Sequence, residues 1–258
     1  MLKKERHEKI LNLVKEKRVV KLKELAEYFN ISLVTVRRDV EELEKDGLIK
    51  KIYGGIMYNE NVVKYEKSHA KRASQNLDLK KKIANLAKDL VFPGETLFLD
   101  ASTTVLEFAK TIVGKKEDIN IITNGIYTAL SFTQGKDITV NLIGGILKFA
   151  TFSLIGPSTE ENIDKLFADK TFISTKALSV EDGGIYEADI YEAEVKKKMI
   201  KNSSQVILLI DSTKWGKKSL VRSANLESIN IIITDKRPEE EYLKNLYERG
   251  IKVIFPEE

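Results

Sequence analysis

The sequence predicts an α/β protein in two parts: a small helical domain closed by a β-hairpin, and a larger α/β domain with a mostly parallel sheet. Apolar residues recur at helical spacing in the first 45 residues, and a short pair of strands follows them. From residue 96 onward, apolar strands alternate with helices. The charge divides in the same way, since residues 1–82 carry 21 Lys and Arg against 13 Asp and Glu, while residues 83–258 carry 22 against 26.

Composition excludes several classes of protein. The 258 residues are 42% hydrophobic and 32% charged, which is a normal globular mixture. No uncharged apolar run approaches the roughly 20 residues of a membrane span, and no signal-peptide core follows the basic N-terminus, so we expect a soluble cytoplasmic protein that binds no membrane. The absence of cysteine excludes disulfides and thiolate metal sites, and two histidines, His7 and His69, argue against a histidine metal cluster or a Ser-His-Asp triad. We predict no catalytic residue, no metal and no other cofactor.

The N-terminal third begins with two predicted helices. Apolar residues at helical spacing predict the first over Glu5–Lys17 and the second over Lys21–Phe29. Val19 and Val20 form a short extended break between them. Asn30-Ile31 then predicts a tight turn, so the second helix leads quickly into another.

A third helix and a hairpin complete this part of the chain. Ser32 is a good N-cap for a helix from Leu33 to about Lys45, and Gly47 is expected to end it. Leu48–Met57 then reads as two short strands around Gly54-Gly55. The predicted domain therefore covers residues 1–57.

Two helices, a short turn and a third helix form the winged helix-turn-helix plan when a hairpin follows them. This plan places the first residues of the third helix against base edges in the major groove of double-stranded DNA. Arginine matches the paired acceptors of guanine, and hydroxyls bind bases or phosphates. The predicted DNA contacts are Ser32, Thr35, Arg37 and Arg38 of the third helix, with Lys50 and Lys51 of the hairpin. The alternative is a plain three-helix bundle whose arginines pair with Asp39, Glu41 or Glu42.

The string ISLVTVRRDVEELEKDGLIKKIYGGI, from Ile31 to Ile56, resembles the DeoR-type family of bacterial transcriptional regulators. Members of that family carry an S-x-x-T-[IV]-R-R-D-[LV] recognition helix, a G-L-[IL] step and a basic wing ending in G-G. Many have histidine before the double glycine, where this sequence has Tyr53. Because tyrosine also stacks or hydrogen-bonds at a phosphate, Tyr53 joins the predicted DNA contacts.

The rest of the chain predicts a linker and a second domain. Residues 58–78 have many charges and little apolar periodicity, so they are predicted to be a linker, and a helix near Leu79–Leu90 opens the domain 79–258. The predicted strands are Thr96–Asp100, Ile119–Thr123, Ile138–Ile143, Lys170–Thr175, Gln205–Asp211, Ile229–Thr234 and Lys252–Phe255. The predicted helices are Thr104–Val113, Ile126–Phe132, Ser158–Leu166, Ile190–Asn202 and Glu239–Arg249.

Polar residues collect at the carboxyl ends of these strands, where ligands of parallel sheets bind. Hydroxyls and free N–H groups at a helix N-terminus hold a phosphate or another oxyanion, and glycine lets a ligand approach the backbone. Each segment alone is an ordinary cap or turn, but four at corresponding strand ends favour one shared pocket. The residues predicted to line it are Asp100, Ser102, Thr103, Thr104, Thr123, Asn124, Gly144, Gly145, Asp211 and Lys214.

The resemblance extends over almost the whole chain. The elements D-x-[SG]-T-T, T-N, G-G, G-P, E-x-x-x-K-x-x-M-I and D-x-[ST]-K are typical of the effector domain of the same family. They match Asp100–Thr104, Thr123-Asn124, Gly144-Gly145, Gly156-Pro157, Glu192–Ile200 and Asp211–Lys214. The resemblance implies an effector-binding and oligomerisation domain that shares its fold with ribose-5-phosphate isomerase and glucosamine-6-phosphate deaminase. It also implies a phosphorylated sugar as effector, with its phosphate on Ser102, Thr103 and Thr104, and adds Glu192 to the predicted site.

One segment departs from the family pattern. Where many members read G-A-D-G after the strand containing Phe172, this sequence reads Ser174-Thr175-Lys176-Ala177. Isomerisation through an enediol needs a carboxylate base, and a lysine at this place removes the obvious one, although Glu192 and Asp211 remain. Lys176 is therefore predicted to make the pocket more cationic, with an ordinary surface lysine as the alternative.

These features predict a transcriptional repressor of a sugar-metabolism operon that a phosphorylated sugar releases from its operator. Operators are commonly repeated or two-fold symmetric, which predicts a homodimer or homotetramer. Two alternatives stay open. One is a sugar-phosphate isomerase or deaminase with an accessory DNA-binding segment, and the other is a C-terminal domain that serves only oligomerisation.

Overall fold

The computed structural model of the chain describes residues 3–45, 49–58 and 69–256. The chain divides into two compact units, residues 1–68 and 69–258, and each is described here by itself. The predicted helix stop at Gly47 lies outside the described residues, as does the stretch 59–68 of the predicted linker. Among the described residues, no helix is both long and apolar enough to cross a membrane.

The N-terminal unit contains three helices and a small antiparallel sheet. Its elements are α1 (Lys3–Lys17), β1 (Val19–Lys21), α2 (Leu22–Phe29), α3 (Leu33–Lys45), β2 (Ile49–Ile52) and β3 (Gly55–Tyr58). The predicted helices are confirmed, and the extended break after α1 proves to be a strand that pairs with the hairpin, in the order β1-β3-β2. Apolar faces of all these elements meet in one core that includes Ile10, Leu25, Val36 and Ile56.

The two glycines of the β2–β3 hairpin, called the wing below, have different roles. Gly54 has a φ of +73°, a left-handed conformation that glycine adopts without a steric penalty. At Gly55, a Cβ atom would lie 2.7 Å from the carbonyl oxygen of Val20. Glycine at this second position therefore allows β1 to approach and close the three-stranded sheet.

The larger unit alternates strands and helices, as the sequence predicts. Its helices are α4 (69–74), α5 (Leu77–Ala87), α6 (Thr103–Ile112), α7 (Ile126–Ser131), α8 (Pro157–Asp164), α9 (Ile190–Lys201) and α10 (Glu240–Glu248), with 3₁₀ turns at Lys88–Leu90, Ser212–Lys214 and Leu226–Ser228. Its strands are β4 (Thr96–Leu99), β5 (Ile119–Thr123), β6 (Ile138–Leu142), β7 (Ile146–Lys148), β8 (Ser153–Ile155), β9 (Ala168–Ile173), β10 (Ala177–Ser179), β11 (Gly184–Glu187), β12 (Ser203–Leu209), β13 (Val221–Asn225), β14 (Ile231–Ile233) and β15 (Lys252–Ile254). Part of the predicted linker is thus helical, since α4 precedes α5 and α5 begins at Leu77 rather than Leu79.

Seven parallel strands form the central sheet in the order β15-β14-β12-β9-β4-β5-β6. The chain builds one half of the sheet from β4 to β6 and then returns to the other side of β4 to add β9, β12, β14 and β15. The strand order therefore reverses between β4 and β9. In open α/β sheets, ligands bind outside the carboxyl ends of the strands at such a reversal.

Both faces of the sheet are covered, which explains the near-continuous apolar strands. Successive residues of β4 alternate between the two cores, with Leu97 and Leu99 in one and Phe98 in the other. Phe108 of α6 stacks on Phe172 of β9 with ring centroids 4.3 Å apart. Burying a side chain of this size contributes about 1.5–3 kcal/mol. The packing holds the strand ends, and the polar residues that follow them, in fixed positions.

Candidate functional site

The turn between α2 and α3 is built by its own side chains. Asn30 adopts a left-handed conformation with φ +51° and ψ +51°, which asparagine tolerates better than most residues. The Ser32 hydroxyl then accepts a hydrogen bond from the Thr35 backbone N–H at 3.2 Å and lies 2.9 Å from the Thr35 hydroxyl. The N-cap predicted at Ser32 is confirmed, and both hydroxyls predicted to contact DNA sit at the start of α3.

The two arginines of α3 lie on its open face. Arg37 and Arg38 are exposed, and neither forms an ion pair within 4.0 Å with any residue that the structure describes. Asp39 points the other way, towards α1, where Arg6 donates to it at 2.6 and 2.9 Å and His7 lies 3.1 Å away. Burial alone would raise the pKa of Asp39, but these hydrogen bonds lower it below its usual value. Asp39 therefore holds α3 against α1 and leaves the arginines outward.

The other nearby carboxylates also have partners outside the arginine pair. Glu42 pairs with Lys3 at 2.5 Å, and Glu41 lies 3.9 Å from Lys51 of the wing. The alternative of a plain bundle, in which neighbouring carboxylates neutralise the arginines, is therefore not the arrangement that the described residues show. The positive charges of Arg37 and Arg38 therefore remain available to a polyanion.

The predicted wing residues differ in their surroundings. Lys50 is exposed, and Tyr53 is fully exposed at the turn. Lys51 is attached to α3, because its ammonium lies 2.9 Å from Glu44 and its backbone N–H donates to the same carboxylate at 3.0 Å. The structure thus places all the predicted DNA contacts on α3 and the wing of one compact unit.

The reversal point of the larger sheet carries a buried cluster of charges. Asp100, which follows β4, accepts hydrogen bonds from the backbone N–H groups of Ser102 at 2.8 Å and Ser174 at 3.0 Å. Lys196 of α9 lies 3.3 Å from Asp100, donates to the Ser174 carbonyl at 2.6 Å and forms an ion pair with Glu187. One carboxylate and one ammonium therefore join the ends of β4 and β9.

Lys196 stays charged in this interior position. Burial lowers its pKa, but the carboxylates of Glu187 and Asp100 outweigh burial, so that the pKa of Lys196 lies above its ordinary value. The ammonium is the positive centre of the buried charges at the strand ends.

Asp211 and Lys214, which follow β12, extend this cluster. Asp211 accepts from the Thr213 backbone N–H at 3.1 Å and lies 3.5 Å from the ammonium of Lys214. Lys214 also donates to the Ser174 hydroxyl at 3.3 Å, and burial lowers its pKa. The structure thus brings Asp100, Asp211 and Lys214 together around Ser174. We refer to these charged residues, with Ser174, Glu187 and Lys196, as the strand-end cluster.

A further lysine, Lys80 of α5, donates hydrogen bonds to two backbone carbonyls. Its side chain is buried, and its ammonium donates to the carbonyl oxygens of Arg72 at 2.5 Å and Ala73 at 3.4 Å. The Thr103 hydroxyl at the start of α6 donates to the same Arg72 carbonyl at 3.4 Å. Within the described residues, no carboxylate lies within 4.0 Å of Lys80. Burial and the positive charge of Lys214 lower the pKa of Lys80 to about 8, against the opposing effect of the Asp211 and Glu107 carboxylates.

Glu192 faces the β7–β8 hairpin. Lys148 of this hairpin lies 2.9 Å from Asp189 and 3.4 Å from Glu192. The turn of the hairpin also contacts α4, because the Arg72 guanidinium donates to the Ala150 carbonyl at 2.5 Å. The hairpin, α4 and the start of α9 therefore meet at one place.

Three predicted residues belong to the interior. Thr104 is 1% exposed, and Thr123 is 0% exposed with its hydroxyl donating to the Leu99 carbonyl at 2.7 Å. Asn124 is also buried, and its amide nitrogen donates to the Leu154 carbonyl at 3.0 Å. The amide oxygen of Asn124 has no hydrogen-bond partner among the described residues. Thr104 and Thr123 therefore support the framework, whereas Asn124 retains an unused acceptor.

Three other predicted residues lie apart from the strand-end cluster. Gly144 is exposed, and a Cβ atom there would meet nothing. At Gly145 a Cβ atom would lie 1.8 Å from the hydroxyl of Thr159 in α8. Glycine is therefore needed here for the close approach of α8, rather than for the approach of a ligand to the backbone. Lys176 is exposed, which agrees with the alternative of a surface lysine.

Sequence reasoning missed Arg72, Lys80, Glu187 and Lys196. A signal for two of them was present in the helical spacing. Lys80 lies three and four residues before Ile83 and Ala84 on the buried face of α5, and Lys196 shares the buried face of α9 with Ala193 and Met199. Arg72 and Glu187 lie in short elements that carry no comparable periodicity.

Comparison with known families agrees with this division. The model of the DeoR-like helix-turn-helix domain matches residues 6–62, and the model of the DeoR C-terminal sensor domain matches residues 75–236. The chain belongs to the DeoR family of transcriptional regulators. In this DeoR-family regulator, α2, α3 and the wing lie within the first match, and the strand-end cluster lies within the second.

Individual relatives of this DeoR-family chain align along nearly its full length. The HTH-type transcriptional regulator GolR of Listeria innocua is 32% identical over 253 residues, which cover 98% of each chain. The lactose phosphotransferase system repressor of Streptococcus mutans is 33% identical over 247 residues, covering 95% of this chain and 96% of that protein. Among solved structures, ribose-5-phosphate isomerase A from Methanocaldococcus jannaschii matches 54% of this chain and 55% of its own, with 16% identity and a TM-score of 0.39, a partial likeness of fold.

Proposed function

We propose that this DeoR-family chain represses a sugar-metabolism operon and that a phosphorylated sugar releases it from the operator. The exposed Arg37 and Arg38 of α3 support operator binding, with Ser32 and Thr35 beside them and Lys50, Lys51 and Tyr53 on the wing. Family membership and relatives such as the lactose phosphotransferase system repressor support a repressor of sugar metabolism. We also propose a cytoplasmic location, because the proposed activity is binding and release of DNA.

The buried ammonium of Lys80, which has no carboxylate within 4.0 Å among the described residues, carries the proposal of a phosphate-binding site. A buried cation without a counter-ion in contact is costly, since Asp211 and Glu107 act on Lys80 only from beyond 4.0 Å, and a phosphate dianion would supply that contact. Thr103 shares a carbonyl partner with Lys80, so both groups reach one acceptor position. Ser102 begins the same helix, whose free N–H groups favour an anion. We place the phosphate on Lys80, Ser102 and Thr103 and leave out Thr104 because it is buried.

The remaining polar groups suit the hydroxyls of a sugar. Asn124 offers a buried amide oxygen that has no partner in the described part of the chain, and Asp211, Lys214 and Glu192 offer further acceptors and donors. A hydroxyl both donates and accepts, so mixed partners of this kind match a polyol better than a hydrocarbon. We leave Gly144, Gly145 and Lys176 out of the proposed site.

We propose that the site binds its ligand without turnover. A base for sugar isomerisation must be a carboxylate free to take a proton. Asp100 already accepts two backbone hydrogen bonds beside Lys196, and Asp211 accepts from Thr213 beside Lys214. Of the carboxylates predicted for the site, Glu192 is therefore the one left to act as the base of an isomerase. Glu192, however, is paired with Lys148.

We propose a DNA-binding domain of residues 1–57 and a sensor domain whose first element is α4, so that the linker is shorter than predicted. The sensor domain also carries the contacts of a homodimer or homotetramer, since a two-fold symmetric operator needs at least two copies of α3.

Fluorescence anisotropy tests the proposed function directly. The probe is a labelled duplex from upstream of the protein's own gene, titrated at fixed salt with and without a panel of sugar phosphates. Tight binding that one sugar phosphate reverses is the expected result. Binding no tighter than to random duplex contradicts operator recognition, and turnover of ribose 5-phosphate contradicts the assignment of a non-catalytic sensor.

Arg38→Ala is expected to weaken specific operator binding by about 1–3 kcal/mol, because a bidentate arginine contact to a base is lost. The change is measured as the difference in anisotropy titrations on operator and random duplex. Lys9→Ala, which removes an exposed charge from α1, is the control and should leave the preference for operator unchanged. An Arg38→Ala variant with unaltered affinity and base preference would remove Arg38 from the interface.

Affinity for the releasing sugar phosphate is expected to fall as pH rises above 8. Lys80 has a pKa of about 8 without ligand, and a bound phosphate raises it. The complex therefore takes up a proton above pH 8, and the affinity falls by about tenfold per pH unit until the raised pKa is reached. The phosphate itself remains dianionic here because its second pKa is about 6. Calorimetric titrations from pH 7 to 10 measure the slope.

The Lys80→Met variant is the control for this pH dependence. Lys214 also has a pKa lowered by burial, so any slope that remains in Lys80→Met belongs to other groups. A slope equal in the variant and the natural protein would show that Lys80 does not face the phosphate.

A further inference from the structure

Helix α4, residues 69–74, is the first described element after the stretch that joins the two units. Its anchors are specific side-chain contacts. His69 is buried and stacks on Tyr127 of α7 with ring centroids 4.3 Å apart, while the edge of Phe152 lies at 5.7 Å. Arg72 donates to the Ala150 carbonyl of the β7–β8 hairpin. These contacts attach one end of α4 to the hairpin and α7.

The other end of α4 is attached to the proposed phosphate site. The carbonyl oxygen of Arg72 accepts from both Lys80 at 2.5 Å and Thr103 at 3.4 Å, and the Ala73 carbonyl accepts from Lys80 at 3.4 Å. Carbonyls near a helix C-terminus have no partner within the helix, and these two obtain one from Lys80. The ammonium and the hydroxyl thus hold α4 when no ligand is bound.

The same position is where a phosphate oxygen would bridge Lys80 and Thr103. One acceptor atom already occupies it, and that atom is the Arg72 carbonyl oxygen. A phosphate oxygen has the advantage in this competition, because a charge-assisted hydrogen bond is roughly twice as strong as one to a neutral acceptor. The ligand and α4 therefore compete for the same two donors.

We propose that the phosphate of the effector displaces the C-terminal carbonyls of α4 from Lys80 and Thr103, and that the release of α4 transmits ligand binding along the chain to the DNA-binding unit. This inference rests on the proposed phosphate site and adds how that site is coupled to DNA. A six-residue helix is unstable in water without tertiary contacts, so the loss of its C-terminal contacts leaves α4 attached through His69 and the Arg72 side chain and makes it more mobile. By linkage, operator binding favours the docked helix and opposes the effector equally.

Lys80→Met separates this role of Lys80 from simple phosphate binding, because the two predict opposite results without ligand. If Lys80 only binds phosphate, the variant binds operator as tightly as the natural protein and is not released. If Lys80 also anchors α4, operator affinity falls by about tenfold without any ligand. We expect the second result in anisotropy titrations, and unchanged affinity in the folded variant overturns the proposal.

Lys116→Met is a matched control for the loss of a lysine that binds a carbonyl. Lys116 donates to the Val91 carbonyl at 2.8 Å, outside the strand-end cluster. This variant should keep full operator affinity and full release. Thr103→Val provides a second test that keeps the charge of Lys80, and it is expected to weaken operator binding in the same direction by a smaller factor. If Lys116→Met loses as much operator affinity as Lys80→Met, the proposal is overturned.

The movement of α4 can be measured independently of DNA. The chain has no cysteine, so Lys71→Cys on α4 carries a single nitroxide label, and Lys244→Cys on α10 carries the control label. Inorganic phosphate, added to saturation, is the probe because the phosphate group alone makes the displacing contacts. We expect the spectrum at position 71 to become that of a mobile label, and the spectrum at position 244 to stay unchanged.

Two contrary outcomes are distinguishable. If phosphate raises the melting temperature of the natural protein but not that of Lys80→Met, and the label at position 71 does not change, the phosphate site stands and the release of α4 is wrong. If phosphate leaves the melting temperature of the natural protein unchanged, the proposed phosphate site fails and the inference fails with it.

Discussion

Replacing Lys196 by methionine is expected to lower the free energy of unfolding of the larger unit by about 3–5 kcal/mol. The variant leaves Glu187 and Asp100 buried next to each other without the ammonium that lies between them. The Ser174 carbonyl also loses its donor at 2.6 Å. Denaturant unfolding followed by fluorescence measures this change, because Trp215 is the single tryptophan of the chain and packs in the core of the larger unit.

The neighbouring Lys197→Met variant is the matched control. Lys197 is exposed and pairs with Glu194 at 2.7 Å, so its loss should cost at most about 1 kcal/mol. The double variant Lys196→Met with Glu187→Gln should recover part of the loss, because one buried charge disappears with its partner. Equal effects of Lys196→Met and Lys197→Met would mean that the Lys196 ion pairs do not hold the strand ends together.

Asp39→Ala is expected to destabilise the N-terminal unit by about 3 kcal/mol and to weaken operator binding with it. The buried carboxylate is the partner of both Arg6 and His7, and it fixes α3 to α1. Without it, two groups of α1 lose their acceptor and α3 loses its fixed position. Hydrogen exchange of peptides from residues 3–45 in the full chain reports the stability of this unit alone.

The stability of the same unit depends on pH, because folding lowers the pKa of Asp39. Its stabilising contribution is complete above the pKa of an unfolded aspartate, about 4, and is lost as pH falls through the lower pKa of the folded state. The control is Glu42→Ala, which removes an exposed contact to Lys3 between the same two helices and should cost at most about 1 kcal/mol. If Asp39→Ala were as mild as Glu42→Ala, the interaction with Arg6 would not be the main anchor of α3.

The helix-turn-helix could be predicted from the sequence because its signals are local. Ser32 is a cap at the first residue before α3, and the apolar spacing in α2 and α3 repeats over two or more turns. The strand at Val19–Lys21 appeared only as an extended break. Its partner is the distant wing, and no pattern within three residues indicates such a pairing.

The central sheet was predicted for a similar reason, but the smaller sheets were not. Strands β4, β5 and β12 are apolar runs bounded by polar residues, whereas the hairpin β7–β8 and the antiparallel strands β10, β11 and β13 contain three to five residues each. These short segments mix apolar residues with polar residues or glycine, so they form no continuous apolar run such as that of β4 or β12, and they are too short to show a period of two. Their conformation follows from tertiary pairing, such as that of Ile185 with Ala224.

The charged residues of the site were the hardest to predict. Two runs of three lysines, beginning at Lys80 and Lys196, read as solvated surface because lysine is rarely buried. In each run the first lysine is buried and the next is exposed, since successive helical residues are turned by about 100°. Which lysine lies inward depends on the apolar residues around it. Which carboxylate pairs with a buried lysine depends on residues far along the chain, as Asp100 does for Lys196.

The β7–β8 hairpin has a consequence for how such a regulator diversifies. Among the described residues the hairpin adds no strand to the seven-stranded sheet, and a bridge between Ser153 and Gly125 attaches it to the segment that follows β5. Its turn nevertheless contacts α4, and its Lys148 faces Glu192. Substitutions in the strands of the hairpin can therefore change the surroundings of Glu192 without removing a strand from the central sheet. In terms of the proposed site, changes in these strands would alter which sugar is sensed, whereas changes at the turn, which contacts α4, would also alter release.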